Sequence, residues 1–429
     1  MKLLVLTPYC SPEHAASSYL GANRNEAFIA HGFDILVYTP TPCRGIDNET
    51  IKEYTKVKHR REFYLDGHRE VRRFLMFRER RNVLQRTIRY FLIACCHFYY
   101  GLKNDARNCD VMFIASTPPF QGALASLIKL FTHQPLIYNL QDVFPDSLVS
   151  TGLTRKGSFL WKVGRAIENF TYRHADKIIV ISEDFKRNIM AKGVPEEKIE
   201  VIYNWVDEQA VKEVKREDNV LFDRYGLDRD KFYVTYCGNV GLTQNMDMLL
   251  EVAKALEAND DIHFVLVGNG AYKEQLEKNI RDKRIRNVTL LPFQPYEEIS
   301  HVFSLGDVGL VISKPGVGEN SVPSKTWSIM SASRPVLASF DENELKTIIE
   351  NHRCGIFTKS GDKVALCDAI ISLYCDRELS KAYGRNGRQF IMDNLTKEAG
   401  TAKYVKVIRD VVSSHGKGDD TEKHNGLRL

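Results

Sequence analysis

No cysteine pair spaced C-x-x-C and no histidine pair spaced H-x-x-x-H occurs in this 429-residue chain, and its twelve histidines form no cluster with cysteine. That argues against a dedicated metal site and a paired-cysteine redox motif. The nine cysteines (Cys10, Cys43, Cys95, Cys96, Cys109, Cys237, Cys354, Cys367 and Cys375) are scattered and odd in number. A secreted disulfide framework has a different pattern, so a reducing cytosol is expected. No run reaches the roughly 18 apolar residues of a spanning helix. The opening run Leu3–Leu6 stops at Thr7-Pro8 and reads as a buried strand, too short for a signal sequence. The turn behind it, from Thr7 to Ala16, holds no glycine. A dinucleotide fingerprint needs glycines there to admit a pyrophosphate, so hydride-transfer chemistry is disfavoured.

What is present is strand–helix alternation over nearly the whole length. Hydrophobic residues make up 43% and charged residues 27%, the balance of a soluble globular protein long enough for two domains. Strand-type runs in the first half are Leu3–Leu6, Ile35–Tyr38, Val111–Ala115, Leu136–Leu140 and Lys177–Ile181, with helices such as Gly122–Phe131 and Phe159–Arg173 between them. Ser182 reads as a helix N-cap, with Gly193 and Pro195 as a stop. After Ile199–Tyr203 comes Asn204-Trp205-Val206-Asp207 and a charged stretch to about Asp218, the best domain boundary. The alternation restarts with Phe232–Cys237, His263–Val267, Val288–Leu291, Val308–Ile312 and Pro335–Ala338. Short Val/Ile/Leu runs separated by helices predict α/β architecture: two tandem, Rossmann-like, doubly wound sheets whose strand ends face a shared cleft. The expected domains are residues 1–203 and 204–395. A last helix, about 397–412, and a disordered tail, 413–429, complete the chain.

The formal charge of +5 is unevenly placed, with twelve Lys/Arg against four Asp/Glu between Lys56 and Arg89. Aromatic and apolar residues follow, from Tyr90 to Tyr100. Residues 56–100 therefore predict an interfacial segment that meets an anionic membrane surface, with Arg72, Arg73, Arg80 and Arg81 as its lipid contacts. A buried helix behind a basic loop is the competing reading. No RNA-binding motif accompanies the charge, and no nucleic-acid partner is expected.

Three loops carry the chemistry. Gly238-Asn239-Val240-Gly241 follows one strand of the second domain, and Gly268-Asn269-Gly270 follows the next. Small residues there let a phosphate or nucleobase approach main-chain N–H groups. The third loop runs from Ser313 to Lys325, with Lys314, Gly316, Gly318, Ser324 and Lys325 suited to cradle a diphosphate. Asp228-Arg229-Asp230 is a literal D-x-D, but it sits in a charged turn without a partner carboxylate and reads as solvated surface.

With those loops in place the chain resembles the family 4 glycosyltransferases of the glycosyltransferase B fold, above all bacterial enzymes of capsule, exopolysaccharide and O-antigen assembly. The N-terminal marks are Ser116–Phe120 and Tyr138–Ser147. The middle ones are Ala175–Ser182, Asn204–Asp207 and Tyr236–Gly241, and the C-terminal ones Val322–Trp327 and Arg334–Val336. The resemblance implies a retaining, metal-independent hexosyl transfer from a nucleotide diphospho-sugar, usually a UDP-sugar, with no cofactor. The second domain would hold the donor and the first a lipid-diphosphate-linked saccharide or polysaccharide acceptor. The last helix would cross back to the first domain. The setting would be cytoplasmic, peripheral on the inner face of the cell membrane.

Carried over residue by residue, the diphosphate falls to Gly238, Asn239, Gly241, Lys314, Ser324 and Lys325. Lys325 and Asp142 are the expected catalytic groups, with Gln141 and Asp142 on the acceptor side. Gly268, Gly270 and Phe293 mark the nucleobase region. The chain departs from the family at the Glu-x7-Glu pair, where Asn320 and Ser328 stand; Glu319, Glu344 or Asp341 would have to serve the sugar and ribose. A basic pair is replaced by Asn239 and Asn245, and an acceptor-domain histidine by Gln141. Two further readings stay open: a nucleotide-sugar epimerase of the same fold, and a catalytically inactive nucleotide-sugar-binding partner subunit.

Overall fold

Apolar runs that alternate with helices bury both faces of every central strand, and two sheets result. The computed structural model describes residues 1–13, 18–79, 82–150, 152, 154–318 and 322–425, with 416–425 described by backbone alone. The chain divides into two compact units, 1–203 together with 400–429, and 204–399.

Sheet 1 contains β1 (Lys2–Leu6), β2 (Asp34–Pro40), β3 (His59–Tyr64), β4 (Arg69–Phe74), β5 (Val111–Ala115), β6 (Leu136–Leu140), β7 (Lys177–Val180) and β8 (Ile199–Val201). Their spatial order is β3-β4-β2-β1-β5-β6-β7-β8. All pairs are parallel except β3 with β4. Leu4, Leu6, Leu36, Met112, Ile114 and Leu136 form one buried layer of this sheet. Ser182 caps the helix Glu183–Ala191, its hydroxyl accepting the N–H of Phe185.

Sheet 2 contains β9 (Phe232–Cys237), β10 (Ile262–Val267), β11 (Val288–Leu291), β12 (Val308–Ile312), β13 (Val336–Phe340) and β14 (Gly355–Lys359). It is wholly parallel, in the order β11-β10-β9-β12-β13-β14. On β9 the side chains alternate: Phe232, Val234 and Tyr236 enter one core layer, and Tyr233 with Cys237 the other. Asp230 donates its N–H to the Asp228 carboxylate at 2.9 Å, so the D-x-D triplet is a turn.

The basic stretch departs from expectation. Instead of a lipid-facing loop, its first half is the β3–β4 hairpin added to the edge of sheet 1 through β2. Arg73 is 1% exposed and donates to Glu62 at 2.7 Å. Arg72 pairs with Glu70 at 2.6 Å and with Asp105. Farther on, Arg89 is fully buried and donates to the Phe77 carbonyl at 3.0 Å. Carboxylates carried on the same hairpin turn these guanidiniums inward, and Arg72 and Arg73 are not lipid contacts. Arg80 and Arg81 lie outside the described residues.

The second half of that stretch is the helix Val83–Gly101, capped by Asn82. It shows Leu84, Ile88, Phe91 and Tyr99 to the exterior. Leu127, Leu130 and Phe131 on the helix Gln121–Thr132 are exposed too. The last helix runs Lys397–Asn425, so the segment expected as a tail from 413 is helical as far as Asn425. It contains no proline, and Gly416 and Gly418 weaken a helix without ending it.

Replacing Arg73 with Ala removes the more buried of the two arginines on Glu62, which keeps Arg60 at 2.9 Å. Loss of a hydrogen bond between charged groups costs about 1.5–3 kcal/mol. Urea denaturation of Arg73→Ala should show a loss of that order; a variant as stable as the parent would show the pair to be incidental.

Candidate functional site

The chain leaves β9 toward β10 and β11, then returns to β12 on the other side, so the strand order of sheet 2 reverses between β9 and β12. Open parallel sheets bind ligands outside the carboxyl ends of the strands at such a point. The loops after these two strands are the glycine-rich Gly238–Asn245 and the lysine-bearing Ser313–Ser324. They are stitched together where the Lys314 N–H donates to the Thr243 carbonyl at 2.8 Å.

Lys325 opens the helix Lys325–Ser331 and points into this junction. Its Nζ lies 3.8 Å from the centroid of the Tyr236 ring, a cation–π contact. A Cβ built on Gly238, which has φ +140°, would stand 3.1 Å from the same nitrogen. Desolvation pushes the lysine's pKa down to about 8. Burial also raises the adjoining Cys237 thiol to about 11. A half-buried ammonium packed on an aromatic ring, with no carboxylate paired to it among the described residues, is poised to gain from an arriving anion.

Lys325 shares a cavity of about 200 Å³ with Thr243, Gln244, Ser313, Gly318 and Phe340. Gln244 accepts the Gly241 N–H at 3.1 Å, so the expected Gly241 donor sits one hydrogen bond from this cavity. The buried Ser313 hydroxyl has no hydrogen-bond partner. Gly318 is clamped from both sides: its N–H donates to Asp341 at 2.7 Å, and its carbonyl accepts from Asn343 at 2.8 Å. Asp341, a candidate for the ribose, thus serves the loop.

Other expected residues fall less centrally. Asn239 is exposed, and its carbonyl accepts the Tyr236 hydroxyl at 2.6 Å. The Lys314 side chain is half-buried and does not line the cavity. Ser324 is exposed and makes no capping bond, since its own backbone is already helical at φ −57°. Ser328 stands a turn farther along the same helix, and Glu344 is buried in the first turn of Glu344–Asn351; neither lines the cavity. Glu319 and Asn320 lie outside the described residues. A Cβ on Gly268 would fall 1.9 Å from the Gly238 carbonyl oxygen, so this glycine is required by loop-to-loop packing. Gly270 lies equally close to the Val240 carbonyl. Phe293, in the loop after β11, is 75% exposed.

Tyr236, Gln244 and Phe340 were missed from sequence. In sequence Tyr236 stands only within the family mark Tyr236–Gly241, and Gln244 and Phe340 carry no assignment. Among the described residues no three His, Cys, Asp or Glu side chains gather as a metal-ligand group.

In the first unit, Gln141 and Asp142 follow β6. Gln141 donates its side-chain N–H to Asn139 at 2.9 Å, and Asn139 also accepts the Tyr404 hydroxyl at 3.2 Å. Desolvation raises the Asp142 carboxyl above its ordinary pKa, against the pull of hydrogen bonds from Ser147 and the Val143 N–H.

A parallel sheet with a lysine and close-packed glycine turns at its switch point marks the class of α/β proteins whose strand ends suit an anionic ligand. Comparison with known proteins makes that class specific. A model of glycosyl transferases group 1 matches residues 217–390, and one of Glycosyltransferase Family 4 matches residues 25–210. The chain is 26% identical over 317 residues to the Pseudomonas aeruginosa protein named as glycosyltransferase WbjE, covering 74% of this chain and 78% of that one. It is 24% identical over 335 residues to the Escherichia coli protein WcaI, named as a colanic acid biosynthesis glycosyl transferase, covering 77% and 81%. Among solved structures it is similar to Anabaena HepE in complex with UDP, with TM-score 0.71 and 15% identity, covering 96% of this chain and 100% of that one. HepE is also solved with UDP-glucose. The chain belongs to the group 1, family 4 glycosyltransferases and has the glycosyltransferase B fold.

A diphosphate seated beside Lys325 would need the lysine protonated. Affinity for UDP should be flat below pH 8 and weaken by about tenfold per unit above it, because one proton must then be taken up on binding. Calorimetric titration checks this. Lys325→Met should lose about ten- to a hundredfold in affinity, the worth of a charge-assisted hydrogen bond, and should lose the pH dependence with it.

Proposed function

We propose that the chain is a retaining, metal-independent hexosyltransferase. It moves a sugar from a UDP-sugar to a lipid-linked saccharide during synthesis of a bacterial surface polysaccharide. The observation that carries the reading is the Lys325 ammonium, desolvated beside Gly238 at the switch point of sheet 2. UDP as the leaving group is supported by HepE, which is solved with UDP and UDP-glucose. Colanic acid in the name of WcaI supports the polysaccharide setting. Retention is carried over from the family resemblance.

Cleavage of the sugar–phosphate bond builds oxocarbenium character on the sugar and negative charge on the departing diphosphate. A cation already positioned on the Tyr236 ring meets that charge with little reorganisation, the arrangement that gives electrostatic catalysis most of its effect. Lys325 takes the role that a divalent ion fills in metal-dependent transferases. Asp142, with its carboxyl pKa raised, accepts the proton of the attacking acceptor hydroxyl. The epimerase reading needs carboxylates around the sugar, and among the described residues those that line the Lys325 cavity include none.

The lipid-linked acceptor is supported by the exposed apolar face of Val83–Gly101, where Leu84 is 69%, Phe91 65% and Tyr99 60% exposed. Among the described residues no helix is long and apolar enough to cross a membrane. This face lies on the bilayer surface, in place of the arginines of the hairpin.

Labelled UDP-sugars offered with lipid-linked saccharide in anionic vesicles should give labelled lipid product with the anomeric configuration kept, unchanged by EDTA. Lys325→Met should lower turnover by about a hundredfold or more. Phe91→Asp should lose transfer to the vesicle-borne acceptor while keeping slow donor hydrolysis. Abolition by EDTA, inversion, or full activity of Lys325→Met would each contradict the reading.

A further inference from the structure

Sheet 1 has a switch point of its own. The chain leaves β1 for β2, β4 and β3, and later returns to β5 on the opposite side. A cavity of about 420 Å³ opens there, walled in part by Leu6 and Thr7 at the end of β1, and by Phe113 of β5. That volume falls within the range of about 300–1,000 Å³ found for small-molecule sites.

Three arginines converge on it from separate elements. Arg24 comes from the helix Ser18–Ala30, Arg44 from the loop after β2, and Arg69 from the start of β4. Arg24 lies over the Phe113 ring at 4.6 Å, and Arg44 over the Tyr9 ring at 5.2 Å. Arg69 donates to the Cys10 sulfur at 2.8 Å. Arg24 and Arg69 each keep a buried Nε with no hydrogen-bond partner. Among the described residues none of the three pairs with a carboxylate.

The one carboxylate on the cavity wall is already engaged. Glu13 accepts backbone N–H groups from Cys10 at 3.1 Å, Cys43 at 2.9 Å and Arg44 at 3.0 Å. Burial holds its carboxyl pKa above the ordinary value. Tyr9 turns its hydroxyl away, toward Glu79 and Tyr90. The cavity is thus a cluster of guanidinium forks without a counter-ion. The buried Nε groups of Arg24 and Arg69 left unpaired are costly, and an oxyanion of forked geometry, reached also by the exposed Arg44, relieves that cost. The hairpin that turns Arg72 and Arg73 inward shows the contrast, since its guanidiniums carry their own carboxylates.

We propose that this cavity binds a phosphoryl group carried by the acceptor, with the guanidiniums of Arg24, Arg44 and Arg69 as its donors. The assignment rests on the reading that the first unit takes the acceptor. It deepens that reading by naming the group recognised: a phosphate or diphosphate ester joined to a sugar. Arg24 also ties the cavity to the expected acceptor residues, because it meets Tyr404, whose hydroxyl joins Asn139 and through it Gln141. The same phosphoryl group is carried by a lipid diphosphate and by a soluble sugar phosphate.

Titration calorimetry on the full chain, with and without saturating UDP, separates these cases using farnesyl diphosphate and glucose 1-phosphate as probes. At least one probe should bind with UDP present, at a Kd on the order of 0.1 mM or tighter. Arg44→Gln, at an exposed position, and Arg69→Gln should each weaken that binding about tenfold or more and leave UDP affinity unchanged. Tighter binding of farnesyl diphosphate assigns the site to a lipid-linked acceptor, and equal or tighter binding of glucose 1-phosphate to a soluble one. Binding of neither probe, or parental affinity in both variants, overturns the proposal. UDP binding without probe binding would leave the glycosyl-transfer reading intact and remove this site. Probe binding without UDP binding would do the reverse.

Discussion

Lys325 is held half-buried against the Tyr236 ring and the Gly238 turn, without a paired carboxylate among the described residues, and the functional reading depends on that placement. Its position follows from the sheet. β9 ends at Cys237 with Tyr236 turned into a core layer that also contains Val234 and Leu266. The helix Lys325–Ser331 follows β12, the strand next to β9 across the switch point. A strand end and a helix start are rigid elements, so the ammonium is fixed before any ligand arrives. Preorganisation of that kind lets one charge act strongly on a developing anion.

Two switch points carry cations in this chain, with different degrees of compensation. At sheet 2 a single lysine is lowered in pKa by burial and stays titratable near neutrality. At sheet 1 three arginines keep their charge at every accessible pH. A lysine of pKa about 8 suits a leaving group whose charge grows during reaction. Fixed guanidiniums suit a phosphoryl group that keeps the same charge from binding to release.

Much of the fold could be read from sequence because central parallel strands are apolar on both faces. Val111–Ala115, Leu136–Leu140 and Val308–Ile312 are the same in sequence and structure. The β3–β4 hairpin could not be read that way. In His59–Tyr64 exposed and half-buried residues alternate, and its charges are balanced in part across strands, Arg73 with Glu62 and Arg61 with Glu70. Local hydropathy records a basic stretch and is blind to partners nine and eleven residues away. The candidate site divides in the same manner. Gly238, Gly241 and Lys325 announce themselves by composition at strand ends, whereas Tyr236 and Gln244 matter only through contacts that no spacing encodes. Ser324 and Glu344 are residue types suited to a phosphate or ribose, and neither lines the Lys325 cavity.

A crystal structure with UDP bound tests the central claim most directly. The account predicts an oxygen of the β-phosphate within about 3 Å of the Lys325 Nζ, with the Gly238–Gly241 turn beside it. A diphosphate seated elsewhere, with Lys325 still enclosed against Tyr236 and touching no phosphate oxygen, would contradict it.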